Sequence, residues 1–191
     1  MYQQLKSQIN RYQPITEEDW AMAVPYFHFH LAKRGSHILQ PGAVCAHFHF
    51  MVEGAAHVYL LQDGKQVTGQ FFLDNHFFTE INSLSTGSPS ALAIEAIEDC
   101  RLLSIERRDL EDLYTHSTNF LRFGKQMADL TAIWLIQRYT QLLTLPAIDR
   151  YRHLLQERPG VLRRFPLYMI ASYLGVSPEA LSRIRRQMAQ S

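Results

Sequence analysis

The chain has 191 residues, a formal net charge of +1 and 47% hydrophobic residues, which is the composition of an ordinary globular protein. Its two cysteines are too few for a disulfide framework, and no stretch approaches the roughly 20 uninterrupted apolar residues of a membrane-spanning helix. The polar start MYQQLKSQINRYQ lacks the apolar centre of a signal peptide. These features argue against the membrane, secreted and disordered classes and predict a cytoplasmic protein with no membrane partner.

Charge is distributed unevenly along the chain. Residues 150–191 carry eight arginines against two glutamates, a balance of +6, whereas residues 1–149 carry 11 basic and 16 acidic side chains, a balance of −5. An arginine-rich terminal segment on an acidic body favours a polyanionic partner, most often nucleic acid. The alternative is a solvated amphipathic helix with a basic face.

The hydrophobic pattern changes from strands to helices along the chain. Residues 1–24 have the pattern of short helices, with Thr16 as a candidate N-cap. Between residues 26 and 105, short aromatic and β-branched runs are separated by Gly, Pro, Asn and Asp, which is typical of an antiparallel sandwich or jelly roll. Within this region Asp63-Gly64 predicts a tight hairpin turn. After Glu106 the pattern becomes helical.

One long helix is predicted from residue 118 to about 145, and Leu145-Pro146 is the candidate hinge that follows it. Seven of its positions recur at alternating steps of three and four, and the first five of them are apolar, which is typical of a heptad seam. The seam comprises Phe120, Phe123, Met127, Leu130, Trp134, Gln137 and Gln141. A helix of about 28 residues spans about 42 Å, longer than one face of a small domain. We therefore expect the seam also to meet a second copy of the chain, and packing on the chain's own barrel alone is the alternative.

Residues 164–187 have the pattern of a helix-turn-helix. The first helix is predicted over 166–173, Gly175 can adopt the positive φ of a tight turn, and Ser177 is the N-cap of a second helix over 178–188. The apolar residues expected to hold the two helices together are Ile170, Leu174, Val176, Leu181 and Ile184. An ordinary helical hairpin is the alternative.

The outward face of this second helix has the chemistry of a DNA recognition helix. Glu179 can accept a hydrogen bond from cytosine N4, and Arg183 can donate to guanine O6 and N7 in the major groove. Arg163, Arg164 and Arg185 are expected to contact phosphates, which position a module without reading sequence. The predicted DNA-binding residues on the second helix are Ser177, Pro178, Glu179, Ser182, Arg183 and Arg186.

Short motifs along the chain are similar to those of one known family. They are KRG at 33–35, QPG at 40–42, MVEG at 51–54, IEDCRLLSI at 97–105 and IASYLGVSPEALSRI at 170–184. In this order they resemble the Crp/Fnr family of transcriptional regulators, which join a cyclic-nucleotide-binding-type β-roll to a long dimerisation helix and a C-terminal helix-turn-helix. The resemblance spans essentially the whole chain.

The resemblance implies an α+β protein in three parts. Residues 1–117 would form the β-roll sensor domain with flanking helices, residues 118–145 the dimerisation helix, and residues 146–191 the helix-turn-helix DNA-binding domain. It implies a homodimer that binds double-stranded DNA at an inverted repeat. It also implies a pocket for a small-molecule effector, or the vestige of such a pocket, in the roll.

The effector pocket implied by the resemblance departs from the cyclic-AMP-binding members. Those members hold the nucleotide with a Gly-Glu-Leu and a later Arg-Ser. Glu80 and Ile81 fall on Glu-Leu, but Thr79 replaces the Gly, and Ser90 and Ala91 fall on the Arg-Ser pair. Because no arginine is present to neutralise the cyclic phosphate, we predict weak or absent cyclic AMP binding.

A histidine-rich strand supports a rival interpretation. His47, His49 and Glu53 would share one face of an unbroken strand, which resembles the metal motif of cupins. A cupin-like metal-dependent enzyme using these residues is therefore the alternative function. The second cupin motif is missing, so we predict no catalysis, no bound metal and no cofactor. A third possibility is a dimeric sensor that has lost DNA binding and acts through protein contacts.

Overall fold

The N-terminal segment forms two helices, as its sequence predicts. In the computed structural model, which describes residues 1–190, α1 covers Tyr2–Tyr12 and α2 covers Glu17–Ala23. The Thr16 hydroxyl accepts a hydrogen bond from the Asp19 amide, and the Asp19 carboxylate accepts one from the Thr16 amide. This reciprocal capping box satisfies donors that the start of a helix leaves unpaired.

Within the described residues, eight antiparallel strands build a β-roll from two four-stranded sheets. The strands are β1 His28–Ala32, β2 His37–Leu39, β3 His47–Glu53, β4 Ala56–Gln62, β5 Lys65–Phe72, β6 Phe77–Phe78, β7 Leu92–Ala96 and β8 Cys100–Glu106. One sheet has the order β1-β8-β3-β6 and the other has the order β2-β7-β4-β5. The alternating runs between residues 26 and 105 therefore form the predicted jelly roll.

The turn between β4 and β5 has the predicted geometry. Asp63 and Gly64 adopt φ values of 50° and 73°. Positive φ at both central residues is what a type I′ turn requires, and the twist of this turn matches that of its two strands. Gln62 pairs with Lys65 directly before and after the turn. The hairpin prediction is confirmed.

Side chains fill the space between the two sheets. The rings of Phe72 and Phe78 stack with centroids 4.6 Å apart, and His49 stacks on Phe78 at 5.0 Å. The buried cluster comprises Leu39, Cys45, Met51, Ala56, Phe72, Phe78, Leu84, Ile94, Ala96, Cys100 and Leu102. Burial of this apolar surface from both sheets supplies the main driving force for folding of the roll.

One short helix lies within the roll, between β6 and β7, and helices cover most of the chain after the roll. The further helices are α3 Ile81–Thr86, α4 Arg107–His116, α5 Thr118–Thr144, α6 Ala147–Glu157, α7 Pro159–Arg164, α8 Leu167–Leu174 and α9 Pro178–Ala189. Across residues 1–190, none of the helices is both long enough and apolar enough to cross a membrane.

The long helix α5 is present, but its heptad seam packs on the chain itself. Phe120 and Phe123 are buried, and Met127 packs against the same cluster of the roll. Further along, Trp134 packs against the core of the C-terminal helices. Most of the apolar side chains of the seam therefore find partners within the subunit, as in the alternative stated above, and Leu130 is the exception at 41% exposed.

A second apolar stripe, which we call the outward stripe, runs along the far side of α5. It comprises Leu121, Ala128, Ala132, Leu135, Tyr139 and Leu142, with Ile136 and Leu143 beside it. Leu135 is 50% exposed and Tyr139 is 65% exposed. If the seam is assigned to heptad positions a and d, the outward stripe occupies b and f, across the helix from it. The subunit alone leaves this stripe uncovered.

Helices α8 and α9 form the predicted helix-turn-helix. Gly175 has a φ of 68°, the left-handed conformation that ends α8. The Ser177 hydroxyl accepts a hydrogen bond from the Ala180 amide at 3.2 Å, and Pro178 occupies the first position of α9. The five apolar residues expected to join the helices all belong to one cluster, in which Ile170, Leu174 and Leu181 are buried and Val176 and Ile184 are partly buried.

Candidate nucleic-acid interface

Helix α9 turns one face inward and presents the other to solvent. Leu181 is 1% exposed and Ile184 packs beside it, so the helical repeat places the remaining positions outward. The predicted DNA-binding residues on this side are all exposed, namely Ser177, Pro178, Glu179, Ser182, Arg183 and Arg186. The structure thus brings the predicted base-reading side chains together on one surface.

The charged groups on this surface are available to a partner. Among residues 1–190, the arginines of the C-terminal segment that form ion pairs are Arg152 and Arg164. The exposed arginines without such a pair are Arg163, Arg183, Arg185 and Arg186. A hydrogen bond from the Ser177 hydroxyl lowers the pKa of Glu179, and the charge of Arg183 adds to this effect. Glu179 therefore stays ionised as a hydrogen-bond acceptor.

Arg164 is the exception among the predicted phosphate contacts. Its Nη2 lies 2.5 Å from Glu98 Oε2, its Nε lies 3.0 Å from Glu98 Oε1, and its Nη1 lies 2.6 Å from Asp74 Oδ2. The hydrogen bonds to Glu98, and then those to Asp74, raise the pKa of Arg164 above its usual value. The expectation that Arg164 is free for phosphate is corrected for this arrangement, because carboxylates of the roll engage all three of its nitrogens.

Around Arg164, the C-terminal helices dock on the roll. The buried Phe71 ring of β5 lies 4.4 Å from Phe165 and 5.1 Å from Tyr173, measured between centroids. The Thr68 amide donates a hydrogen bond to the Ser172 hydroxyl at 3.0 Å. The first helix of the helix-turn-helix is therefore held against β5, while α9 remains exposed.

Two further arginines, which sequence reasoning did not single out, hold the end of α8. Arg138 stacks over the Tyr173 ring at 3.8 Å and donates to the Tyr173 carbonyl. Arg150 donates to the Leu174 carbonyl at 2.8 Å and to the Leu145 carbonyl at 2.6 Å. Cations satisfy the unpaired carbonyls at the C-terminal end of a helix. No local signal distinguishes these arginines from their exposed neighbours.

Two residues of the implied effector pocket, Thr79 and Glu80, bond within the roll. The Glu80 carboxylate caps α3 by accepting from the Asn82 amide at 3.0 Å and from the Ser83 amide at 2.9 Å. The Thr79 hydroxyl donates to the His47 carbonyl at 2.8 Å. Both polar groups are therefore used by the fold, whereas nucleotide binding would require them to face a ligand.

The other three residues of the implied pocket are Ile81, Ser90 and Ala91. Ile81 begins α3, and Ser90 and Ala91 directly precede β7. The Ser90 hydroxyl donates to the Leu92 carbonyl and accepts from the Leu92 amide, both at 3.0 Å. Ile81 and Ala91 are exposed. None of the three carries a positive charge, so they offer no counterion to a phosphate.

The strand that carries His47 and His49 is not unbroken. A β-bulge between Met51 and Glu53 shifts the register of β3 against β8. Because a shift of one residue reverses which face a side chain occupies, Glu53 leaves the face that the two histidines share. Its carboxylate instead lies 3.8 Å from Arg101 at the surface. The cupin-like interpretation requires His47, His49 and Glu53 to share one face of the strand. This prediction is therefore wrong.

The histidines themselves have a structural role. The rings of His47 and His49 stack at 5.8 Å, and His49 Nδ1 lies 2.7 Å from the Ser104 hydroxyl. Burial, followed by the charge of nearby histidines, lowers the pKa of His49 to about 3, so the ring is neutral. Within residues 1–190, no three metal-ligating side chains come together in a way that would hold an ion.

Comparison with known proteins gives one family match and several solved structures of similar fold. Residues 30–117 match the family described as the cyclic nucleotide-binding domain. FixK2 from Bradyrhizobium japonicum is similar over 86% of this chain and 85% of its own, with 23% identity and a TM-score of 0.71. The catabolite activator protein of Thermus thermophilus is similar over 96% and 87%, with 19% identity and a TM-score of 0.60.

A third similar structure is the c-di-GMP-responsive global regulator CLP from Xanthomonas campestris. The similarity covers 92% of each chain, with 16% identity and a TM-score of 0.70. Comparison with curated proteins gives no match. The three solved structures share the fold of this chain over most of its length, and the predicted α+β fold class is confirmed.

Proposed function

We propose that this chain, which has a cyclic nucleotide-binding domain and the fold of the Crp/Fnr regulators, is a homodimeric DNA-binding transcriptional regulator. The observation that carries the proposal is the exposed face of α9. It places Glu179, Ser182, Arg183 and Arg186 on one side of a helix that follows a left-handed glycine turn and a serine cap. Such a helix fits the major groove.

Within this interface, two kinds of contact have different roles. Glu179 and Arg183 stand one helical turn apart and are chemically suited to cytosine and guanine edges. The exposed Arg163 and Arg185 are suited to phosphates, which add affinity without sequence preference. Arg164 joins the phosphate contacts only when its pair with Glu98 and Asp74 opens.

The outward stripe of α5 is the proposed dimer interface. Its apolar side chains repeat with heptad spacing and lie uncovered on the subunit. A two-fold pairing of α5 helices covers both stripes at once and presents two α9 helices to the duplex. The operator is then an inverted repeat with half-sites about one helical turn apart.

Arg183→Ala is expected to weaken binding to the preferred duplex by about 1–3 kcal/mol and to relax specificity at one base pair. Arg163→Ala is expected to weaken binding to all duplexes alike and to reduce the salt dependence of affinity. Fluorescence anisotropy titrations against the preferred duplex and a scrambled duplex, at several salt concentrations, measure both effects. Equal behaviour of the two variants contradicts this division of roles.

Cyclic AMP is not the proposed effector, because Ser90 and Ala91 supply no charge for its phosphate and Glu80 already caps α3. With cyclic AMP at about 1 mM, the melting temperature is expected to stay unchanged, since a ligand that does not bind the native state cannot stabilise it. Isothermal calorimetry is the direct measurement. Micromolar affinity for cyclic AMP contradicts the prediction and restores a nucleotide site in the roll.

We propose no catalytic role. The displaced Glu53 removes the carboxylate that a cupin-like centre would need beside His47 and His49. A regulator that reads duplex DNA acts in the compartment that holds the DNA, and we propose that this compartment is the cytoplasm. Any effector of such a regulator acts by binding unequally to two arrangements of the DNA-binding domains.

A further inference from the structure

An ion-pair fork joins the DNA-binding domain to the roll. Asp74 follows β5, Glu98 precedes β8 and Arg164 ends α7, so the fork joins parts of the chain that are distant in sequence. The second oxygen of Asp74 accepts a hydrogen bond from the Gly54 amide at 2.7 Å, which fixes this carboxylate to the roll. The roll therefore offers a pre-organised receptor for one guanidinium.

The fork brings two negative charges next to a DNA-binding surface. Two carboxylates face a single guanidinium, so the group as a whole carries a negative charge beside the exposed Arg163. Arg164 ends α7, and α8, the first helix of the helix-turn-helix, begins soon after it at Leu167. In this motif the first helix crosses the DNA backbone. Phosphate oxygens and these carboxylates are alternative partners for the same donors.

The rest of the docking seam is formed by apolar packing and hydrogen bonds. Besides the ring contacts of Phe71 and the hydrogen bond of Thr68 described above, Arg158 Nη2 donates to the Phe71 carbonyl at 2.7 Å, and Ala55 and Leu73 pack in the core of the C-terminal helices. Interfaces between domains of one chain permit relative motion. The fork is the ionic part of this seam and the part for which a phosphate can compete, so its opening weakens the docked arrangement.

We propose that the fork of Arg164 with Glu98 and Asp74 is a latch that holds the helix-turn-helix on the roll in an arrangement of low DNA affinity. The inference rests on the proposed function. In the latched arrangement Arg164 is paired with two carboxylates, and these carboxylates repel phosphate. Release of the latch frees Arg164 for the DNA backbone, and DNA in turn competes with the roll for it.

Glu98→Gln is the variant that tests the latch. Among residues 1–190, the Glu98 carboxylate forms hydrogen bonds only with Arg164, whereas Asp74 also accepts from the Gly54 amide and is left intact. Asp99→Asn is the matched control, because it removes the same charge from the same turn and Asp99 pairs with Lys33 within the roll. Spin labels at Lys65→Cys and Ala189→Cys, both exposed positions, report the distance between the roll and α9.

In double electron–electron resonance on spin-diluted dimers, Glu98→Gln is expected to broaden the distance distribution, and Asp99→Asn is expected to leave it narrow. Affinity is measured for a duplex that the wild type has enriched from random sequences. Glu98→Gln is expected to bind this duplex about fivefold more tightly than Asp99→Asn does. Arg164→Gln is expected to broaden the distribution without this gain, because it lacks the phosphate contact as well.

An unchanged distance distribution in Glu98→Gln, or an equal gain of affinity in Asp99→Asn, overturns the latch. Failure of the wild type to bind any duplex overturns the proposed function. The distance measurement still shows, without DNA, whether the fork holds the helix-turn-helix on the roll. The failure of the latch and the failure of the proposed function are therefore distinguishable.

Discussion

Replacement of Leu135 and Tyr139 together by glutamate is expected to convert the proposed dimer to monomers and to weaken DNA binding about 100- to 1000-fold. Both side chains lie on the outward stripe, at 50% and 65% exposure. A charge buried in a helix pairing costs several kcal/mol unless it is paired, whereas the monomer tolerates it at a surface. Analytical ultracentrifugation gives the mass, and anisotropy titration gives the affinity, because a monomer engages only one half-site.

The matched control is Leu130→Glu. Leu130 is also partly exposed on α5, but it belongs to the seam on the far side of the helix from the outward stripe. This variant is expected to remain dimeric and to bind DNA as the wild type does. The opposite result is dissociation of Leu130→Glu together with a stable dimer in the double variant of Leu135 and Tyr139. That result places the interface on the heptad seam and contradicts the prediction.

Gly54→Ala is expected to lower the free energy of unfolding by about 3–5 kcal/mol. Gly54 has a φ of 125°, and a Cβ built there lies 2.7 Å from both the Cα and the Sγ of Cys100. The backbone of the roll would have to move, because a buried cysteine at the start of β8 has no room to withdraw. Urea denaturation followed by circular dichroism measures the loss.

Gly64→Ala separates the backbone strain from the clash. Gly64 also has a positive φ, 73°, but no atom lies within 4 Å of a Cβ placed there. Gly64→Ala is expected to lower the free energy of unfolding by about 1–2 kcal/mol, because it introduces only the strain of the left-handed conformation. Equal losses in the two variants show that the close approach to Cys100 contributes nothing.

Local signals in the sequence predicted the parts of the fold that depend on local chemistry. Asp63-Gly64 specifies a type I′ turn because both residues tolerate positive φ. Ser177-Pro178 specifies the start of α9 because the hydroxyl accepts an amide hydrogen and proline lacks one. These elements need no information from distant parts of the chain.

The sequence did not determine which of several equivalent residues turns inward. Arg163 and Arg164 are neighbours of identical chemistry, yet only Arg164 meets carboxylates, because the docking of the domain brings Asp74 and Glu98 to its side. A bulge in β3 likewise places Glu53 on the face away from His49, and nothing in the alternating pattern predicts this bulge. Tertiary contacts decide both outcomes.

The long helix shows an intermediate case. Its sequence contains two apolar stripes with heptad spacing, and reading a second register would have found the outward stripe beginning at Leu121. Which stripe packs on the subunit depends on where the roll meets the helix, as the burial of Phe120 and Phe123 shows. Periodicity therefore identified the helix and its apolar content, but not the direction of each face.

Selection of double-stranded sequences from a random pool tests the central claim most directly. For the full chain, the enriched sequences are expected to form an inverted repeat with half-site centres about 10 base pairs apart. The enriched duplex should lose its advantage over random DNA when Arg183→Ala is used. No enrichment, or an enriched sequence whose binding is indifferent to Arg183→Ala, contradicts a regulator that reads DNA through α9.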